Sequence, residues 1–350
     1  MSNTDNNKAI VRWLLLGVFM IMVQILIGGI TRLTESGLSI TEWKPITGVL
    51  PPLNNVQWQA EFDKYKQIDQ FKYINRSFTL SDFKFIFFWE WMHRQWARLL
   101  GLVFLAGFIY FLAKRRFKKE MVAPMIILFL LGALQGLVGW IMVKSGLVPQ
   151  KYYVGHVELT THFISALVLL VYTLWFALQL SPSYKEKIIS HKLRNQLWLI
   201  AIVLFVQLVY GGFMAGLKAA QSAPTWPDIN GYFIPPSIGE LIPAWENILN
   251  NNLTIHFIHR MNAYFLALII IFFFISSRNV TNARFKKLRL GFLLVTLVQI
   301  TLGIFTVLSG ANPKALVFWG VSHQFIAMVM VIFLTSLFFL TRKKPGKQIT

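Results

Sequence analysis

The sequence predicts an all-α, polytopic membrane protein: eight transmembrane helices arranged as two tandem-repeat four-helix bundles. Three observations lead there: eight long apolar runs, connections that alternate in basic charge, and a repeat relating the first half of the chain to the second. Of the 350 residues, 55% are hydrophobic and only 14% are charged. Soluble globular domains carry roughly 25% charged residues. Apolar stretches of about 18 or more residues with almost no charge read as membrane spans.

Taken in order, the spans fall at roughly 11–31, 84–113, 122–143, 154–180, 196–217, 253–277, 289–309 and 316–341. A single run near residue 20 would suit a signal peptide, but seven more follow, so it reads as the first helix. The connections alternate in charge. Basic residues gather in the N-terminal arm (Lys8, Arg12), the second loop (Lys114 to Lys119), the fourth (Lys185, Lys187, Lys192, Arg194), the sixth (Arg278 to Arg289) and the tail (Arg342, Lys343, Lys344, Lys347). These segments hold 20 of the 34 Lys and Arg residues, against three acids, Asp5, Glu120 and Glu186. Lys and Arg accumulate on the cytoplasmic side. Both termini are therefore expected inside, and the long polar segments 32–83 and 218–252 outside. The net charge of +20 reads as a topology signal, and nucleic acid is not expected as a partner. With no cysteine, disulfides, thiolate metal sites and cysteine nucleophiles are excluded.

The halves repeat. VQILIGGITRL closes the first helix and VQLVYGGFMAGL the fifth; each precedes an outer loop with a Trp-Xaa-Pro-like turn, TEWKPITGVLPP or PTWPDINGYFIPP. MHRQWARLLG matches IHRMNAYFLA, QGLVGWIMVKSGL matches QITLGIFTVLSGA, and THFISAL matches SHQFIAM. The offsets shrink smoothly: 183 residues at Gln24/Gln207, 166 at His93/His259, 164 at Gln135/Gln299 and 161 at His162/His323. One duplication with loop-length changes accounts for all four. Four helices per half preserve orientation, so the repeat is parallel. The expected units are residues 1–180 and 181–350.

Of seven histidines, His191 lies in a basic inner loop and reads as a solvated surface residue. His93, His162, His259 and His323 each lie on an even-numbered span, at similar depth in the outer half of the bilayer. Ionisable residues inside spans are costly and face the bundle interior with a partner. Two such residues per half, matched by the repeat, point to metal or haem. Zinc would want three or four convergent ligands, often with carboxylate or thiolate help. Two histidines on facing helices instead suit a planar macrocycle held from both faces, because a porphyrin supplies its own four nitrogens. Arg94 and Arg260 follow two of these histidines directly, and Arg98 lies one turn beyond Arg94. Their simplest role is snorkelling; pairing with a propionate or a polar bundle partner fits their depth at least as well. Glu90 precedes His93 by three residues, which puts both on one helix face, and His256 stands at its equivalent in the second half. A carboxylate there forms a salt bridge with an arginine such as Arg94, or serves as a proton-handling, substrate-orienting acid confined to the N-terminal half. His156 and Glu158 read as interfacial. Trp89, Trp91 and Trp96 read first as core packing.

GGITRLTESGLSITEWKPITGVLPPLN, EWMHRQWARLLG, FIHRMNAY and SHQ together resemble the haem A synthase family. The likeness spans nearly the whole chain, and the absence of cysteine resembles the cysteine-free, mitochondrial and proteobacterial-like branch. The segment GHVELTTHF is less typical of the family. The resemblance implies an oxidoreductase of the bacterial plasma membrane that converts haem O to haem A, oxidising a ring methyl to a formyl group through two hydroxylations, in support of cytochrome oxidase. It implies substrate haem O between His93 and His162, a haem b cofactor between His259 and His323, Glu90 as the catalytic carboxylate, and Arg94 and Arg260 in haem-binding HR motifs. Implied partners are haem O synthase, the farnesyltransferase that makes the substrate, and an electron donor or acceptor that the sequence does not name; the oligomeric state, a homo-oligomer included, stays open. Two other readings compete. A quinol-linked b-type cytochrome would usually carry two histidines on one helix, and a transporter would show Gly/Pro-broken spans.

Overall fold

The computed structural model describes residues 3–42, 47–181 and 188–341. The eight spans appear as helices α1 (Asn3–Leu33), α3 (Leu80–Ala113), α4 (Lys119–Gly146), α5 (His156–Leu180), α6 (His191–Gly216), α9 (Asn252–Ser276), α10 (Ala283–Leu308) and α11 (Pro313–Leu340). All eight are long and apolar enough to cross a membrane. Polar side chains mark their starts. Thr79 and Asp82 form a reciprocal capping box on α3, Ser190 accepts from Leu193 N–H on α6, and Asn282 accepts from Phe285 N–H on α10. Asn312 caps α11 immediately before Pro313, whose missing N–H costs nothing at a first helical position.

Four helices, α1, α5, α6 and α11, bury the most surface and form a central layer. The α3 and α4 helices flank it on one side, α9 and α10 on the other. Within the first half α1 packs on α3 and α5, and α4 on α5; within the second, α6 packs on α9 and α11, and α10 on α9 and α11. The halves meet where α5 lies on α6 and α11 lies on α1 and α5. This is compatible with two four-helix bundles sharing a broad seam. Apolar residues of α1 at helical spacing (Ile10, Leu14, Val18, Ile21, Ile25) join Leu167, Leu170 and Leu174 of α5 in one core. The counterpart in the other half is built on Leu193, Leu197, Ile200 and Leu204 of α6 with Phe285 and Phe292 of α10.

Lipid tails are as apolar as leucine, so span association relies on close packing and polar contacts. The seam uses both. Gly29 of α1 lies against Gln324 of α11, whose Nε2 donates to the Ile25 carbonyl (3.0 Å). Its repeat equivalent, Gly212 of α6, lies against Thr160 of α5. Past the C-terminal ends of α1 and α6, Glu35 and Lys218, which occupy equivalent positions 183 residues apart, both take left-handed backbone (φ 57° and 55°) and form an ion pair with each other. Tyr153 donates to Glu35 (3.1 Å), and its ring lies 3.7 Å from the Lys218 ammonium. Burial, and then the Glu35 charge, push the Tyr153 phenol up to about 12. Burial lowers the Lys218 ammonium below its usual range, opposed by Glu35.

Segment 32–83 is more structured than a polar loop. It contains α2 (Asn55–Tyr65) and a π-helical turn, Gln70–Ile74, over an aromatic core of Phe62, Tyr65, Phe83 and Phe87. The chain carries a signal for it: Asn54 caps the helix, and Trp58, Phe62 and Tyr65 recur at i, i+4 and i+7. This core also extends α3 outward by a turn, to Leu80 rather than 84. Segment 218–252 holds the short helices α7 (Ala219–Ser222) and α8 (Glu246–Asn250). The Trp43–Pro45 turn, the charges Lys185, Glu186 and Lys187, and the basic tail from Arg342 lie outside the described residues.

Gly107 of α3 marks the tightest contact with α1: a Cβ there would stand 2.1 Å from Trp13 Nε1, in an indole held by the Val103 carbonyl (3.2 Å) and stacked on Phe104. Gly107→Leu is expected to cost about 1–3 kcal/mol of stability. The thermal midpoint of detergent-purified chain should fall well below that of Gly101→Leu, where a Cβ meets nothing within 4 Å.

Candidate functional site: four imidazoles on glycine notches

Each of the four span histidines lies against a glycine of the neighbouring helix. A Cβ built on Gly28 of α1 would stand 3.0 Å from His93 Cε1; on Gly139 of α4, 2.9 Å from His162; on Gly211 of α6, 3.3 Å from His259; on Gly303 of α10, 2.9 Å from His323. A glutamine stands one turn before every one of these glycines: Gln24, Gln135, Gln207 and Gln299. The motif Q-x-x-x-G thus recurs on α1, α4, α6 and α10. The Gln24 amide nitrogen lies 3.2 and 3.1 Å from the two ring nitrogens of His93, and that of Gln207 lies 3.2 and 3.3 Å from those of His259. The Gln299 amide nitrogen lies 3.3 Å from His323 Nε2, while His323 Nδ1–H donates to the Gln299 carbonyl (3.0 Å). These glutamines and glycines are the functional residues that reading single histidines misses. The signal was in the chain, as a fourfold spacing.

The four imidazoles are all half-buried. His93 and His162 are close enough to interact electrostatically, as are His259 and His323. The structure therefore brings together the two histidines of each half. Among the described residues, no group of three or more His, Cys, Asp or Glu side chains converges as a metal site would require. Two imidazoles from separate helices, each laid on bare backbone that a side chain would fill, fit a macrocycle bound axially from both faces. The Nδ1–H donation of His323 fixes the tautomer, so its Nε2 carries the lone pair, which faces the Gln299 amide and is the nitrogen that could ligate a metal.

Glu90, 3% exposed, is fully engaged. Its Oε1 pairs with Arg94 Nη2 (2.6 Å), and its Oε2 accepts from Ser39 Oγ and the Ile40 N–H (2.8 Å each). Of the two roles expected for Glu90, the salt bridge with Arg94 is the one visible in its contacts. Arg94 also donates to the carbonyls of Ile40 (2.9 Å) and Glu42 (3.1 Å). The other half repeats the arrangement with a different partner. Arg260 reaches the carbonyls of Thr225 (2.9 Å), Pro227 (3.0 Å) and Asp228 (2.6 Å), and lies 3.0 Å from His256 Nε2. Both HR arginines therefore tie the long segment preceding their own helix to that helix, which carries the histidine. Asp228 itself, outside the spans, is held below the usual carboxylate range first by the Gly231 N–H and then by Thr225.

The remaining sequence candidates fall as follows. His156 joins the halves: its ring meets Phe213 of α6 edge-on, with Nε2 2.9 Å from the Leu249 carbonyl. His191 is exposed. Trp96 Nε1 donates to the Met20 carbonyl of α1 (2.8 Å) and Trp91 Nε1 to Val49 (3.2 Å), so both pack and tether.

Arg260→Ala strips three loop carbonyls of a charged donor, and bonds of this kind contribute roughly 1.5–3 kcal/mol each before solvent replaces them. The variant is expected to lose about 2 kcal/mol of stability, and limited proteolysis should cut its 224–245 segment faster than that of the parent.

Residues 11–335 match the model of the COX15-CtaA family, cytochrome oxidase assembly protein. The chain is 39% identical over 337 residues to the heme A synthase of Parvibaculum lavamentivorans, covering 94% of each chain. It is 40% identical over 331 residues to the heme A synthase of Flavobacterium psychrophilum, covering 93% of this chain and 96% of that one. It is also 40% identical over 331 residues to the heme A synthase of Bartonella tribocorum, at 94% and 91% coverage. All four histidine notches lie inside the matched region, and on a match of this extent the chain belongs to the cytochrome oxidase assembly protein family COX15-CtaA.

Proposed function

We propose that this chain works as a haem A synthase with unequal halves: residues 1–180 hold the substrate haem O between His93 and His162, and residues 181–350 hold a resident haem b between His259 and His323. The chain is an oxidoreductase that converts haem O to haem A, within a multi-pass membrane protein. The observation that carries the division of roles is how each half closes. In the second half α9 packs on α10, whereas among the described residues α3 and α4 make at most a grazing contact. A substrate must enter and leave, and a bulky isoprenoid-bearing one does so best through an open seam facing lipid. Gly132 and Gly136 of α4 lie on the helix face of Gly139, and a Cβ on either would meet nothing within 4 Å. Their equivalents are Thr296, which is buried, and Ile300.

Glu90 is the second asymmetry. It shares a helix face with His93, and His256 replaces it in the other half. Held by Ser39, Ile40 and Arg94, it places a fixed negative charge beside the substrate site, suited to positive charge or a proton leaving the ring methyl as it is oxidised. Low dielectric makes such a preorganised charge effective. Arg94 and Arg260 set the loops beside the two sites and are the cations proposed to face the propionates. Haem b, when bound, supplies a one-electron redox centre next to the substrate half. An electron partner and haem O synthase complete the proposed set of partners. The charge asymmetry of the connections supports inside termini, with 32–83 and 218–252 outside.

Co-expression with a haem O synthase should yield haem A in extracted pigments; both haems bound with no haem A formed would refute the activity. Glu90→Ala is expected to retain both haems but accumulate haem O, lowering haem A at least about 100-fold, the scale of losing one preorganised charge. A b-type electron carrier would show no such separation. Gly136→Ile, which copies the second half into the first, is expected to reduce haem O content and haem A yield while haem b content holds, as read by pigment extraction.

A further inference from the structure

The Q-x-x-x-G notches are alike in sequence and unlike in what they do for the imidazole. On α10, Gln299 touches His323 at both ring nitrogens, by its side-chain amide and by its carbonyl. On α6, Gln207 lies on both nitrogens of His259, and its own Oε1 accepts from Asn262 Nδ2 (2.7 Å), which also donates to the Val203 carbonyl (3.1 Å). On α1, Gln24 lies on both nitrogens of His93 and donates to the His93 carbonyl as well (3.2 Å). On α4 the notch glycine is as close to its histidine as on α10. Yet His162 Nδ1 is buried with no hydrogen-bond partner among the described residues.

An acceptor on Nδ1–H does two things for a metal-bound imidazole. It holds the ring in one tautomer and orientation, and it raises the basicity of the bound nitrogen. Removing such a partner typically lowers metal affinity about 10–100-fold. The C-terminal pair therefore has one ligand with such an acceptor, His323, and one, His259, oriented by the donating amide nitrogen of Gln207. The N-terminal pair has no such acceptor: His93 is oriented by the donating amide nitrogen of Gln24, and His162 Nδ1 has no partner among the described residues. A resident cofactor needs the first arrangement. A haem that arrives as substrate and departs as product needs the second.

We propose that His162 is the releasable axial ligand of the substrate haem, so that His93 retains the ring during exchange while His162 lets go. This rests on the assignment of haems to the two halves given above.

The test uses full-length chain, purified with pigment in both halves and mixed with excess apomyoglobin. Haem b and the haem O or haem A of the substrate half are followed separately by their pyridine haemochrome spectra. Haem of the N-terminal half is expected to leave about 10–100-fold faster than haem b. His323→Ala should accelerate loss of haem b by a factor of that order, while His162→Ala accelerates loss from its own half far less. Gln135→Leu should leave N-terminal loss unchanged. Equal loss rates in the parent chain, or equal acceleration by His162→Ala and His323→Ala, would overturn the proposal. A different failure is recognisable: if His93→Ala leaves both pigments at full content, the N-terminal half holds no haem through His93, and the assignment falls together with the inference.

Discussion

An imidazole lying on bare helix backbone is the contact around which the molecule is organised. It occurs at His93 on Gly28, His162 on Gly139, His259 on Gly211 and His323 on Gly303. A side chain at these glycines would crowd the ring, most closely at Gly139 and Gly303. The contact sets which helices pair, α1 with α3, α4 with α5, α6 with α9 and α10 with α11, and all four pairs pack closely. At His93, His259 and His323 it also keeps a polar ring in the hydrocarbon region beside a glutamine that answers it, which lipid could not do. The same residues thus serve assembly and ligand presentation.

The paired glycines of α1 and α6 extend this logic to the whole chain. Gly28 and Gly211 face a histidine of their own half. The next residues, Gly29 and Gly212, face the opposite half, against Gln324 and Thr160. One Gly-Gly step therefore locates each central helix both within its bundle and against the other. The Glu35–Lys218 ion pair closes one end of the seam with residues at equivalent positions and of opposite charge. Like charges at such a meeting point would repel, and the opposite charges of Glu35 and Lys218 attract instead.

Divergence elsewhere separates the halves chemically. Arg94 and Arg260 keep the same task of holding the segment before their helix, but the residue one turn before each differs, Glu90 in one half and His256 in the other. The α4 face carries Gly132 and Gly136 where α10 carries Thr296 and Ile300. Small changes on a shared scaffold thereby leave one half open at its α3–α4 seam and the other closed by α9 on α10.

The primary structure alone was enough for the eight spans, their register and the four histidines. Hydrocarbon thickness demands long apolar runs, and a duplicated chain repeats its costly polar residues at matching intervals. It was also enough for the family, because GGITRLTESGLS and the HR motifs are local strings. Pairing of the histidines by half, the glycine beneath each ring and the loop carbonyls held by Arg94 and Arg260 needed three dimensions. These contacts join residues up to 69 positions apart, as in Gln24 with His93, and no periodicity within one helix encodes its neighbour. The folded helix α2 in segment 32–83 was missed for a related reason: its aromatic face is short, and it gains a partner only when α3 extends outward to meet it. The open α3–α4 seam is the clearest case of all, since an absence of packing between two helices leaves no mark on the sequence of either.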